Sequence, residues 1–376
     1  MRIGLDADPM FRTRAGVGQY AARLAEGLSA ASPGDEFFLY HWGGGTQPRE
    51  EWFARENVVV RNVPKGTLRA AVRADGVEVF HGTNFRLRAR GGRGSVVTIH
   101  DLALRIFPHL RRRWIGDRIG YLKSSRDAKA ADLVIADSES ASRDIARYIG
   151  IPPGKIRVVP LAAGPEFRPV EDPERKADIL RRIGMALPRY ILFSGTLEPR
   201  KNVPVLLRAY LGLRREIRDA GLVLAGMPGW RSGDVTKFIR ENGLSDAVRM
   251  TGYVTPEDLA ALYSGASAYV LPSLYEGFGL PPLEAMACGC PVIVSTGGSL
   301  PEVVGDAAVL LPPEDVEGYR REIVRVLSEP GLAEEMRRKG FLRAASYSWK
   351  RTAEDTLAAY REAARGAGGG TRPEEN

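Results

Sequence analysis

Cysteine is nearly absent: the 376 residues hold two, Cys288 and Cys290, separated only by Gly289. That spacing is too tight for an ordinary disulfide, and the further ligands of a zinc site are missing. Both read as reduced packing residues. Histidine is scarce as well, at four residues, and His41 and His109 attract no functional reading. No run approaches the roughly 20 consecutive apolar residues that a bilayer crossing requires. The opening MRIGLDAD reads as a strand, not as a secretory signal. A cytoplasmic protein without a membrane span is expected. Acidic residues are outnumbered 46 to 54, leaving a charge of +8 that favours anionic partners, nucleotide phosphates or an acidic membrane surface among them.

Strand-like apolar runs alternate with helical intervals. The first half carries RIGLDA, EFFLYHW, NVVVRNV, VEVFHG, SVVTIH, DLVIADS and KIRVVPLA; the second carries YILFSG, LVLAGM, VRMTGYV, SAYVLPS, PVIVST and AAVLLPP. This alternation predicts an α/β protein with two parallel sheets. We expect a domain over 1–165, a proline- and charge-rich linker over 166–187, a second domain over 188–348, a C-terminal helix over 349–365 that crosses back to the first domain, and a disordered tail over 366–376.

Chemistry concentrates in YEGFGLPPLEAMACGCPVIVS. Glu276 lies in a glycine loop and Glu284 just inside a helix opened by Pro281 and Pro282, with seven residues between the two acids. Gly277 and Gly279 let backbone N–H groups approach a ligand, and carboxylates accept hydrogen bonds from sugar hydroxyls. Taken singly, Glu284 also suits a helix-dipole charge and Glu276 a plain loop charge. In FSGTLEPRKNVPVLLRAY a strand ends at Gly195 and a turn delivers Arg200 and Lys201 to the next helix, a pattern fit for a diphosphate and equally for a solvated loop pair. RAGVGQYAARLAEGL supplies Gly16, Gly18 and Tyr20. It lacks the third glycine of a dinucleotide fingerprint. Asp6-Ala7-Asp8 has the spacing of an Asp-x-Asp metal motif but ends the first strand, so no metal site is expected there.

These residues resemble the retaining glycosyltransferases of family four (group 1), over nearly the whole chain. The resemblance implies the GT-B fold, two Rossmann-like domains facing a central cleft. It also implies a nucleotide-sugar donor and transfer with retention of configuration. Glu276 would bind donor-sugar hydroxyls, Glu284 the ribose, and Arg200 with Lys201 the diphosphate, so that the acidic and cationic pairs grip opposite ends of one activated sugar. TGGSLPEVVGDAA resembles the family's following phosphate loop, with backbone N–H groups of Gly298, Ser299 and Leu300 offered to the donor and Glu302 nearby. The donor contacts would also include Gly16, Gly18, Gly195, Gly277, Phe278, Gly279 and Leu280. His100 matches a strand-end histidine near the reacting carbon, while Tyr20, His81 and Asp101 fall on the acceptor side. No cofactor or metal is implied, because the Arg-Lys pair would carry the charge work. SGTLEPRKN and YEGFGLPPLEA resemble mannosyltransferases using GDP-mannose, with UDP-glucose still open. The acceptor would be a saccharide or lipid-linked saccharide in surface polysaccharide or glycolipid synthesis. The stretch 105–129, with eight basic and two acidic residues, suits peripheral contact with an anionic membrane or, equally, a solvated helix face. No nucleic acid partner is expected. A sugar-nucleotide epimerase and a non-catalytic nucleotide-sugar-binding subunit are the alternatives.

Overall fold

Each apolar run anticipated as a strand folds as one, and the strands collect into two sheets whose pairs are all parallel. The computed structural model describes residues 1–12, 16–42, 51–110 and 114–366. The first sheet has the order β3-β2-β1-β4-β5-β6-β7, built from β1 (Arg2–Asp6), β2 (Glu36–His41), β3 (Val58–Asn62), β4 (Val79–Gly82), β5 (Gly94–Ile99), β6 (Leu133–Ala136) and β7 (Ile156–Val158). The second has the order β10-β9-β8-β11-β12-β13, from β8 (Arg189–Ser194), β9 (Ala220–Ala225), β10 (Val248–Gly252), β11 (Ala268–Leu271), β12 (Val292–Ser295) and β13 (Val309–Leu311). The strands read as near-continuous apolar runs because helices cover both faces of such sheets. In each, sequence order reverses once, between β1 and β4 and between β8 and β11. An open α/β sheet forms its ligand crevice at the carboxyl ends of such strands.

Residues Met1–Leu161 and the helix Trp349–Gly366 make one compact unit, and Ala162–Tyr347 the other. The C-terminal helix buries Ala353, Leu357, Tyr360 and Ala364, spaced three or four apart, as one face requires. Its contacts fall on the helix Gly16–Ala31 and on β5, and Arg157 of β7 pairs with its Glu362.

The segment 166–187, expected to be a linker, instead packs within the second unit. It contains the helix Pro173–Arg182, with Asp172 accepting from the N–H groups of Glu174 and Arg175 and Pro173 at the first helical position. Ile179 and Met185 are buried in that unit's core. Residues 111–113 of the basic stretch, 13–15 of the first glycine loop and 367–376 of the expected tail lie outside the described residues.

Candidate active site

In the second unit, the register of β11 on β8, Ala268 opposite Ile191 and Tyr269 opposite Leu192, places two strand tips side by side. The chain leaves β8 through Gly195, whose φ of 133° favours glycine, and enters the turn Pro199–Lys201 ahead of the helix Val203–Leu213. It leaves β11 through the loop that carries Ser273 and Glu276. The Leu274 N–H donates to the Arg200 carbonyl at 2.8 Å and stitches the two loops together.

Glu276 is the hub. Lys201 Nζ donates to its Oε1 at 2.7 Å, Arg200 Nη1 to its Oε2 at 2.7 Å, and Ser273 Oγ to Oε1 at 2.5 Å. Arg200 also donates to the Tyr275 carbonyl at 3.0 Å and pairs with Glu198. Glu276 and Lys201 are only 6% and 7% exposed. Burial alone would raise the Glu276 carboxyl, but Arg200 and then Lys201 outweigh it and hold it down at about 2. The expectation that the cationic and acidic pairs grip opposite ends of one ligand is therefore corrected: Arg200 and Lys201 bond directly to Glu276. The adjacency of β8 and β11 is the cause. Glu276 orients the cations and keeps a lone pair on Oε2 for a further donor.

The neighbouring loops are shaped around this carboxylate's backbone. Glu276 and Gly298 form a parallel bridge, and a Cβ on Gly298, at φ 66°, would come within 2.2 Å of the Glu276 carbonyl oxygen. The Ser299 N–H donates to that carbonyl at 3.0 Å, and Ser299 Oγ donates to the Phe278 carbonyl at 2.5 Å. Ser299 thus fastens the loop, and its N–H is not offered outward as expected. Leu300 is fully buried. Gly277 and Gly279 flank Phe278, whose ring meets Tyr347 edge-on at 5.7 Å. Gly279, at φ 106°, precedes the helix Leu280–Ala287 that carries Glu284.

Glu284, half-buried, accepts from the Tyr263 hydroxyl at 3.3 Å. Burial pushes its carboxyl up to about 8, against the pull of the Tyr263 hydrogen bond and with a small push from Glu166. A carboxyl raised in the fold weakens the protein as pH climbs from 4.5 through about 8, because the unfolded chain ionises first. Glu284→Gln, which removes that cost, is expected to melt above wild type beyond pH 8, with the gap closing toward pH 4.5 in a pH series of thermal melts.

In the first unit, β5 and β6 end in register, Ile99 opposite Ala136, so the next residues, His100 and Asp137, meet. His100 Nδ1 lies 2.8 Å from Asp137 Oδ2 and Nε2 lies 3.0 Å from the Thr83 carbonyl oxygen. A carbonyl only accepts, so Nε2 carries a proton, and a second proton lies between Nδ1 and the carboxylate. Burial opposes the charge on His100, yet Asp137 prevails and the imidazole holds its proton above its ordinary range.

Two acceptor-side expectations fail. His81 is 0% exposed, with Nδ1 2.6 Å from the Tyr360 hydroxyl and Nε2 2.8 Å from Thr98 Oγ1. Burial drives it down to about 3, so it is a neutral core residue. Tyr20 is 2% exposed, bonded to Thr98 and edge-on to His100 at 4.7 Å. Both are buried, His81 against Tyr360 of the C-terminal helix and Tyr20 on the inward face of the helix Gly16–Ala31. Tyr20 supports His100 instead. Asp101 stays partly exposed and accepts from the Ala103 N–H at 3.0 Å. Gly16 and Gly18 open the helix Gly16–Ala31, and a Cβ on Gly16 would meet nothing within 4 Å. Asp6 and Asp8 pair with Arg88 and Arg12 respectively. Sequence reading missed Ser273 and Asp137. Asp137 was discoverable, since VVTIHD and VIADS both end a strand on a polar residue.

The family described as Glycosyl transferases group 1 matches residues 185–343, and Glycosyltransferase Family 4 matches residues 14–166. O-antigen chain mannosyltransferase B of Escherichia coli is 31% identical over 96% of this chain and 100% of that protein. The serotype-specific mannosyltransferase WbdA of Escherichia coli is 32% identical over 69% of this chain, which spans about a third of it (32%). Among solved structures, sucrose-phosphate synthase from Thermosynechococcus elongatus superposes with a TM-score of 0.78 at 24% identity, covering 96% of this chain and 98% of that one. From the paired sheets, the strand-tip cluster and these matches over both units, the chain belongs to the group 1 glycosyltransferases of GT-B fold, mannosyltransferase-like in its sequence.

Proposed function

We propose that this protein is a retaining, metal-independent mannosyltransferase that uses GDP-mannose and a saccharide or lipid-linked saccharide acceptor in surface polysaccharide or glycolipid synthesis. The observation that carries the reading is the Arg200–Lys201–Glu276 cluster at the tips of β8 and β11. Two cations held rigidly in a buried setting are preorganised for the charge that grows on a departing diphosphate. The bond from the sugar's anomeric carbon to the phosphate oxygen breaks with its electron pair going to phosphate. The acceptor hydroxyl oxygen bonds to that carbon from the same face, and its proton passes to the phosphate oxygen. No protein nucleophile takes part. In this reading Glu284 is assigned to the nucleotide ribose, His100 to the donor sugar and Asp101 to the acceptor. The names borne by the relatives favour mannose over glucose.

A peripheral membrane contact through 105–129 belongs to the same reading. What supports it is a pair of apolar side chains, Ile119 and Leu122, 46% and 56% exposed on the same helix as Lys123 and Lys129.

The test incubates the protein with GDP-mannose or UDP-glucose and an oligomannoside acceptor, with and without EDTA, and follows products by mass spectrometry and anomeric NMR. An α-linked mannoside formed equally in EDTA is expected. A β-linked product, loss of turnover in EDTA, or isomerised donor without transfer sinks the reading.

A further inference from the structure

The connection from β4 to β5 has no helix. The two strands are parallel neighbours, and the usual crossover of such a pair carries a helix. Here an extended segment, 83–93, makes the return, and its end is fastened to the start of β4: the Gly92 N–H donates to the Val77 carbonyl at 2.9 Å and the Arg93 N–H to the Glu78 carbonyl at 2.8 Å. Gly91 passes so close that a Cβ would lie 2.3 Å from the Glu78 carbonyl oxygen. With that helix missing, a groove of about 1120 Å³ lies open between the helices Leu68–Ala74 and Trp114–Ala130.

Arginines line it: Arg69 and Arg73 from the first helix, Arg86, Arg88 and Arg90 from the extended segment, and Arg126 from the second helix. Asp127 pairs with Arg86 and Asp6 with Arg88. Among the described residues, Arg90 and Arg69 donate to the carbonyls of Ala130 and Arg88 and to no carboxylate. Arg73 and Arg126 have no side-chain hydrogen bond or ion pair among the described residues. The lining acid Glu78 is paired with Arg93. Four guanidiniums of the lining therefore have no carboxylate partner among the described residues.

Guanidinium stays charged at every accessible pH and matches phosphate oxygens two at a time. Among the described residues the lining holds no aromatic ring that could serve bases as a stacking platform. We propose that this groove is a second anion site, binding a phosphate or diphosphate group, wholly within the first unit and separate from Arg200 and Lys201 of the second.

The test titrates inorganic pyrophosphate by calorimetry into wild type, Arg69→Ala/Arg73→Ala and Arg200→Ala/Lys201→Ala. Thermal melts control for folding, and the first pair is exposed on its helix. In parallel, sedimentation uses phosphatidylcholine vesicles with and without phosphatidic acid. The Arg69/Arg73 variant is expected to bind pyrophosphate about tenfold more weakly at one class of site. That change persists even if the Arg200/Lys201 variant titrates like wild type, an outcome that would count against the donor reading alone. Vesicle binding that needs phosphatidic acid, is lost in the Arg69/Arg73 variant and yields to pyrophosphate identifies a lipid headgroup. Pyrophosphate binding without vesicle binding identifies a soluble phosphate. A folded Arg69/Arg73 variant that matches wild type in both assays overturns the proposal.

Discussion

Lys201→Met is expected to lower kcat by about two to three orders of magnitude, the cost of removing one preorganised charge from a developing anion. Lys201 cannot be replaced by a mobile neighbour, because its ammonium is buried and fixed 2.7 Å from Glu276. The same variant leaves the Glu276 carboxylate with Arg200 and Ser273 alone, and a buried pair broken on one side costs about 3–5 kcal/mol of stability. Activity and stability are separable. Glu276→Gln combined with Lys201→Met removes the stranded charge, so its melting temperature recovers toward wild type while kcat stays low. The pH dependence has a fixed sign. A carboxyl held at about 2 contributes stability above 4.5 that is lost as pH falls toward 2, and in Lys201→Met, whose folded carboxyl titrates higher, that contribution is smaller and its loss is complete at a higher pH. Near-normal kcat in Lys201→Met, with the fold intact, would remove the phosphate role.

Asp137→Asn is expected to cost about 3 kcal/mol below pH 6.5 and much less in alkaline solution. In wild type the His100–Asp137 pair keeps its proton above the ordinary imidazole value of 6.5, so its contribution is complete below 6.5 and fades as pH rises through the elevated value. An asparagine amide can donate to a neutral Nδ1 while Nε2 still donates to the Thr83 carbonyl, so the variant is satisfied only when His100 is uncharged. Melting curves across the pH range read the difference, and a deficit independent of pH would show that the pair carries no charge in the fold.

The strands were legible because buried parallel strands are continuous apolar runs; VVTI and YVL need no alternation to be recognised. Glu276, Glu284, Arg200 and Lys201 were legible for a second reason, since polar residues and glycines that follow an apolar run mark a strand tip. The bond between Glu276 and Lys201 was not, because it depends on which strands are neighbours, and 75 residues separate the two. His81 was misread for the same reason. Its covering partner Tyr360 lies 279 residues away, and a histidine at a strand end looks alike in sequence whether a helix closes over it or not. The segment 166–187 was misread for its charge content, although Asp172-Pro173 is a helix start and Ile179 its apolar anchor. Local composition weighed too heavily there against a capping signal.

The return of the helix Trp349–Gly366 to the first unit bears on how the protein is made. During synthesis the opening 161 residues leave the ribosome with the bed for that helix, Gly27, Gly94 and His81 included, still uncovered. The second unit, contiguous from Ala162 to Tyr347, has all its parts first. The unit whose strands emerge earlier is thus the later to be completed, and its exposed apolar seam is a natural client for a chaperone until residue 366 has emerged.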